Sequence, residues 1–98
     1  MLDRDIDAAR RVASSIGGIA VQCDVTRTAS VDRAFAKIVR AFGGLDILVS
    51  NAGAAWQGRI GDVDEKVLRD SFELNFWGHQ RCAQAAVAIM KAQGTGGA

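Results

Sequence analysis

The sequence predicts an α/β domain organised around an open parallel sheet, and three observations predict it. Amphipathic helical stretches alternate with short apolar runs in the order helix, strand, helix, strand, helix, the alternation of a parallel sheet with crossover helices. The run Leu45-Asp46-Ile47-Leu48-Val49 lacks the two-residue alternation of a half-exposed strand and suits a strand covered on both faces. It breaks off into Ser50-Asn51-Ala52-Gly53, a small polar turn at a strand's carboxyl end, where such sheets bind ligands. Gly53 permits a backbone conformation closed to other residues, although the same residues also suit an ordinary strand-to-loop turn.

Taken in order, Met1-Leu2-Asp3-Arg4-Asp5 reads as the last residues of a strand and its following turn, so a preceding strand is expected outside this sequence. Ile6, Ala9, Val12, Ala13 and Ile16 fall at helical spacing, and Gly17-Gly18 ends that helix. Ile19-Ala20-Val21-Gln22-Cys23, bounded by glycine before and Asp24 after, suits a buried strand. Over 29–42, Val31, Phe35, Ile38, Val39 and Phe42 form one apolar stripe with Arg33, Lys37 and Arg40 outside it, and Gly43-Gly44 terminates the helix. Residues 54–61 read as a loop carrying Trp56, Gln57 and Arg59. Asp62 with Glu65 is the expected capping pair of a long helix on which Val67, Leu68, Phe72, Phe76, Ala83, Ala86, Val87 and Met90 line up. The tail Gly94-Thr95-Gly96-Gly97-Ala98 reads as a loop, and no internal repeat is present.

Composition narrows the classes. The 98 residues are 49% hydrophobic and 23% charged with a formal net charge of +1, which argues against disorder, a nucleic-acid-binding tail or an acidic-partner surface. No apolar stretch approaches the roughly 20 residues that span a bilayer, and the N-terminus is not a signal peptide, so no membrane partner and a cytoplasmic location are expected. Cys23 and Cys82 do not form a metal-ligand spacing and read as small buried hydrophobes. His79, the single histidine, excludes a histidine-rich metal site and reads as a polar residue on a helix face. No tyrosine is present, which removes one common catalytic acid.

Four features occur in the order and spacing of one family. The chain resembles the short-chain dehydrogenases/reductases, NAD(P)-dependent oxidoreductases on a Rossmann-type doubly wound sheet, over nearly its whole length. Asp3 is similar to the acidic residue at the end of that family's second strand, and Asp24-Val25 to its adenine-contacting pair after the third. Ser50-Asn51-Ala52-Gly53 resembles the motif after the fourth strand, with Ser50 where the family usually has a second asparagine. Asn75, within Leu74-Asn75-Phe76-Trp77-Gly78, resembles the asparagine of the catalytic tetrad. The resemblance implies cofactor-binding roles for Asp3, Asp24, Val25, Asn51, Ala52 and Gly53, and a catalytic role for Asn75.

Each role has a chemical reason. A carboxylate at Asp3 accepts hydrogen bonds from ribose hydroxyls and repels a 2′-phosphate, favouring NAD over NADP; Arg4 beside it pulls the other way, since guanidinium pairs with phosphate. Asp24 can accept from the adenine amino group while the Val25 backbone contacts the ring. Asn51 is expected to brace adjacent strands, with Ala52 and Gly53 letting the backbone approach the cofactor. Asn75, set in an apolar stripe, needs hydrogen-bond partners if buried; in the family this asparagine holds a water through a local helix distortion. Each aspartate also has a plain alternative as a surface, capping or turn residue.

The resemblance further implies an incomplete domain over 1–98: the glycine-rich phosphate loop would precede Met1, and the serine, tyrosine and lysine of the chemistry would follow Ala98. The expected function is that of a fragment of an NAD-dependent dehydrogenase acting on a small alcohol or carbonyl substrate. The 98 residues alone are expected to be inactive and molten or aggregated. Trp56 and Arg59 are candidate substrate contacts, and homo-oligomerisation of the full-length protein is expected through the long helix. Asn75-Phe76-Trp77-Gly78-His79-Gln80 and the 93–97 segment also resemble the dehydrogenase part of bifunctional rhamnulose-1-phosphate aldolase/short-chain dehydrogenases, which implies a lactaldehyde-like substrate. The competing readings are a noncatalytic Rossmann-like nucleotide-binding or interaction module, and a flavodoxin-like receiver that lacks the acidic cluster such a site needs.

Overall fold

Two short strands, β1 (Leu2–Asp3) and β2 (Val21–Gln22), pair in parallel in the computed structural model, which describes residues 1–55 and 58–98. Leu2 stands opposite Val21 and Asp3 opposite Gln22. The ladder is carried at its ends by the Val21 amide on the Met1 carbonyl and the Cys23 amide on the Asp3 carbonyl, each 2.9 Å. Parallel neighbours need a crossover between them, and α1 (Ile6–Ile16) supplies it. Asp5 caps α1, its carboxylate accepting from the Asp7 and Ala8 amides at 3.1 Å. The helix stops at Gly17, whose φ of 70° is a conformation that costs residues with a Cβ.

Helix α2 (Thr28–Phe42) follows β2 and ends the same way at Gly43, φ 82°. Val31, Ala34 and Phe35 of α2 are buried with Val21 of β2, Cys23 just beyond it, and Cys82 and Ala86 further along the chain. The buried Ala9 and Ala13 of α1 lie outside that cluster, while α1 packs on both strands. The sheet is therefore covered by α1 on one side and by α2 with the last helix on the other, the doubly wound arrangement in miniature. Cys23 and Cys82 are buried free thiols, as their apolar neighbours suggest.

Residues 45–49 depart from the sequence expectation. They form no strand among the described residues, and Ile47 and Val49 are exposed. A strand exists only through its neighbours, and the groups that meet this segment are few. The Gln93 side chain does part of a neighbour's work: its Oε1 accepts from the Leu45 amide at 3.0 Å and its Nε2 donates to the Leu45 carbonyl at 2.6 Å. Ala98 does the rest, donating to the Asp46 carbonyl at 2.8 Å and accepting from the Leu48 amide at 2.6 Å, which is the slanted pattern of a parallel pair.

The long helix is real but interrupted. It runs as α3 (Glu65–Phe72), a π-helical turn (Glu73–Trp77) and α4 (Gly78–Gln93). Its cap is Asp64, not the expected Asp62–Glu65 pair: the Asp64 carboxylate accepts from the Lys66 amide at 2.9 Å. Asp62 is held in a preceding turn, where the amides of Asp62 and Val63 both reach the Arg59 carbonyl. Nor does the expected apolar stripe stay covered. Leu68, Phe72, Phe76 and Val87 of that stripe are exposed, because helical periodicity identifies a face that needs a partner and the described residues provide none for this one.

Candidate functional site

Val25, Gly53 and Asn75 meet at the π-turn and its junction with α4, while Asp3 and Asp24 stand at the carboxyl end of the two-stranded sheet. Asp3 closes β1, exposed, with Oδ1 accepting from the Asp5 amide at 3.0 Å. Asp24 lies beyond β2 at the same end, since the strands are parallel. Its Oδ1 accepts from the Thr26 hydroxyl at 2.6 Å and the Thr26 amide at 3.0 Å, and its own amide donates to Ser30 Oγ at 2.9 Å. The Thr26 hydroxyl foremost, then the Thr26 amide and the charges of Arg27 and Arg4, hold the Asp24 carboxyl below the usual carboxylate range against the opposing pull of partial burial. Asp24 is thus ionised and fixed in a local turn, with only Oδ1 engaged among the described residues.

Val25 leans on the π-turn. A Cβ built on Gly78 would come within 2.9 Å of Val25 Cγ2, so glycine is what lets the turn after β2 approach the start of α4. Arg81, one helical turn further on, donates from one guanidinium nitrogen to the Val25 carbonyl at 3.3 Å and from the other to Glu73 Oε2 at 2.8 Å. Sequence reasoning missed Arg81. The available signal was a long cationic residue between apolar positions of a helix, flanked by Cys82 and lying eight residues after an acidic one.

Asn75 sits in the π-turn and clamps the backbone beyond the glycine turn. Its Oδ1 accepts from the Ala54 amide at 3.1 Å, and its Nδ2 donates to the Ala54 carbonyl at 2.9 Å and to Ser71 Oγ at 3.2 Å. The side chain is exposed, yet it makes three hydrogen bonds, and the two to the Ala54 amide and carbonyl are those a strand edge would make. Gly53 lies directly against it: an added Cβ would stand 3.0 Å from Asn75 Oδ1. A π-turn carries one more residue than a regular turn, so the Gly78 amide bonds back to the Glu73 carbonyl five residues away. Such segments are frequent at functional sites, and this one is a local distortion of the helix at Asn75, of the kind that the family resemblance implies.

Two expected features are arranged differently. The Asn51 side chain makes no hydrogen bond among the described residues, because the strands it would brace are not among those formed; the tie across the site is made by Asn75. Ser50 Oγ is hydrogen-bonded to His79 Nδ1, so position 50 links the turn to α4 through a polar residue on that helix. Arg59 is exposed and contributes its carbonyl to the turn before α3. Trp56 lies outside the described residues.

Other chemistry is not in view. Burial pushes the thiols of Cys23 and Cys82 up and away from the reactive thiolate. Among the described residues no group of three or more His, Cys, Asp or Glu is placed to hold a metal ion, and no helix is long and apolar enough to cross a membrane.

A family model described as enoyl-(acyl carrier protein) reductase matches residues 1–97. Sorbitol dehydrogenase of Cereibacter sphaeroides is 35% identical over 97 residues, 97% of this chain and 38% of that protein. A crystal structure ascribed to the short-chain dehydrogenases/reductases of Burkholderia xenovorans superimposes with a TM-score of 0.81 and 35% identity, covering 97% of this chain and 40% of that one. The fold is shared with an actinorhodin polyketide ketoreductase crystallised with NADPH, TM-score 0.90 and 24% identity, over 97% of this chain and 39% of that one. The chain spans about a third of the length of the first curated relatives it matches, 32%, 38% and 33% of them. With a Rossmann-type sheet and a π-turn asparagine facing a glycine turn, the chain belongs to the short-chain dehydrogenase/reductase family.

Proposed function

We propose that this chain forms the adenosine and ribose side of an NAD site in an oxidoreductase that moves a hydride between a small alcohol or carbonyl compound and nicotinamide. The observation that carries the proposal is the Asn75 clamp: one side chain in a π-turn fixes the backbone at Ala54, directly after Asn51-Ala52-Gly53. The residues present fit the cofactor. Gly53 and Gly78 keep backbone close to the π-turn, and two carboxylates stand at the ends of adjacent parallel strands. Bound there, NAD supplies the hydride acceptor.

The chain's own residues bind and orient. Asp3 accepts from the ribose hydroxyls and places negative charge where a 2′-phosphate would sit, which favours NAD over NADP. Asp24, kept ionised by Thr26, accepts from the adenine amino group, and Val25 lies along the ring. Asn75 fixes the turn and helps order a water near the reacting groups. The 98 residues alone turn over nothing. The full-length protein pairs with a second copy through α4, where exposed Ala83, Val87 and Ala88 allow close helix approach.

A small polyhydroxy or hydroxycarbonyl compound is the substrate class we favour, consistent with the sorbitol-oxidising name of one relative and with the lactaldehyde-like substrate implied by the narrower resemblance to aldolase/dehydrogenase fusions. The full-length protein tested with NAD and NADP against lactaldehyde, sorbitol and related alcohols should form NADH, with Asp3→Ala narrowing the preference for NAD. Dinucleotide binding without turnover of any alcohol or carbonyl would favour a noncatalytic nucleotide-binding module. Failure to bind either dinucleotide would refute the site.

A further inference from the structure

The Arg81 side chain joins two parts of the site that are far apart in sequence. It is largely buried, 21% exposed, against 45% for its partner Glu73. One arm reaches the Val25 carbonyl and the other the Glu73 carboxylate. Glu73 opens the π-turn that holds Asn75, and Val25 belongs to the turn assigned to adenine.

The spacing of the ion pair explains what it does. On a regular helix, residues eight apart point about 80° away from one another, whereas residues seven apart differ by only about 20°. The extra residue of the π-turn absorbs the difference and returns Arg81 to the face of Glu73. Were the helix regular, the pair would not meet. The Arg81–Glu73 bond therefore favours the π register, and Gly78, packed on Val25, leaves the room for the second arm. A guanidinium, planar and forked, can serve a carboxylate and a carbonyl together; a lysine ammonium on its flexible stem serves the two poorly.

We propose that Arg81 is a positioning residue that locks the adenine-side turn at Val25 to the π-turn carrying Asn75, so that cofactor seating and the catalytic asparagine are set by one side chain. This rests on the NAD reading above. ADP-ribose, which carries the adenine half without nicotinamide, separates the two arms. In the full-length protein, Arg81→Met should weaken ADP-ribose binding about tenfold and lower kcat by a similar factor, the loss expected when hydrogen bonds to a charged group are removed. Arg81→Lys, able to hold Glu73 alone, should restore most of kcat and little of the ADP-ribose affinity.

ADP-ribose affinity within twofold of wild type in both variants would overturn the coupling and leave the NAD site standing. Equal recovery of both quantities in Arg81→Lys would also overturn it, since charge alone would then suffice. A wild-type protein that binds neither NAD nor NADP would overturn the NAD reading, and this inference with it.

Discussion

Replacing Asn75 by aspartate changes one atom's chemistry at almost constant shape, and its consequences follow from three distances. The acceptor that takes the Ala54 amide at 3.1 Å is kept, while the donor that gives to the Ala54 carbonyl at 2.9 Å and to Ser71 Oγ at 3.2 Å becomes an oxygen. The Ser71 hydroxyl can turn to donate to the new oxygen, so the bond to the Ala54 carbonyl is the one lost, worth about 0.5–1.5 kcal/mol net, with carboxylate–carbonyl repulsion added to it. The site is exposed, so water compensates in part and the expected loss at pH 7 is about 1–2 kcal/mol. The new carboxylate faces a carbonyl oxygen, which raises its folded pKa above the unfolded value of about 3.9. Protonated, it regains one donor. The deficit is therefore smallest below the unfolded pKa and grows as pH rises through the folded one. Unfolding free energies of wild type, Asn75→Asp and Asn75→Ala in the full-length protein, taken at pH 4 and pH 7, measure this, with Ala54 amide exchange as the local readout. A gap between Asn75→Asp and Asn75→Ala that does not change with pH would refute the clamp.

The same geometry makes further predictions. Gly78→Ala places a Cβ 2.9 Å from Val25 Cγ2 and should cost about 1–3 kcal/mol as overpacking, with Val25→Ala restoring most of it; chemical denaturation of the single and double variants decides. Thr26→Val removes the hydroxyl that chiefly depresses Asp24, so the Asp24 carboxyl should titrate at higher pH by NMR. Because the folded pKa in wild type lies below the ordinary 3.8, Asp24 contributes stability at neutral pH that is lost as pH falls through the folded value, and Thr26→Val should shrink that acid dependence. The 98 residues expressed alone should bind a hydrophobic dye and show poor amide dispersion, since Ile47, Val49, Phe72 and Phe76 are all exposed; dispersed amides and cooperative unfolding would contradict this.

Local signals in the sequence were strong where one residue sufficed. Helix α1 falls at Ile6–Ile16 as its apolar spacing and closing glycine require, and α2 begins one residue before the expected 29–42 span. The strand expected at 45–49 was not decidable locally, because pairing belongs to the neighbours and here a glutamine side chain and Ala98 supply it. The cap at Asp64 was obscured because Asp62, with Glu65 three residues on, satisfies the capping-box spacing, whereas Asp64 has Val67 at that place. Periodicity could not reveal the π-turn either, since one inserted residue shifts the face by a single step and leaves the apolar count unchanged; only the family resemblance of Asn75 pointed to it. Arg81 was hidden for the same reason, its pairing with Glu73 depending on that inserted residue.

The turn after β2 is the proposed seat of the adenine of NAD. The most direct measurement is photolabelling of the full-length protein with an NAD analogue bearing an azide on the adenine ring, followed by peptide mapping. Label in the peptide containing Asp24 and Val25, blocked by excess NAD, is the result the structure predicts. Label confined to other peptides, with the same protection by NAD, would contradict it.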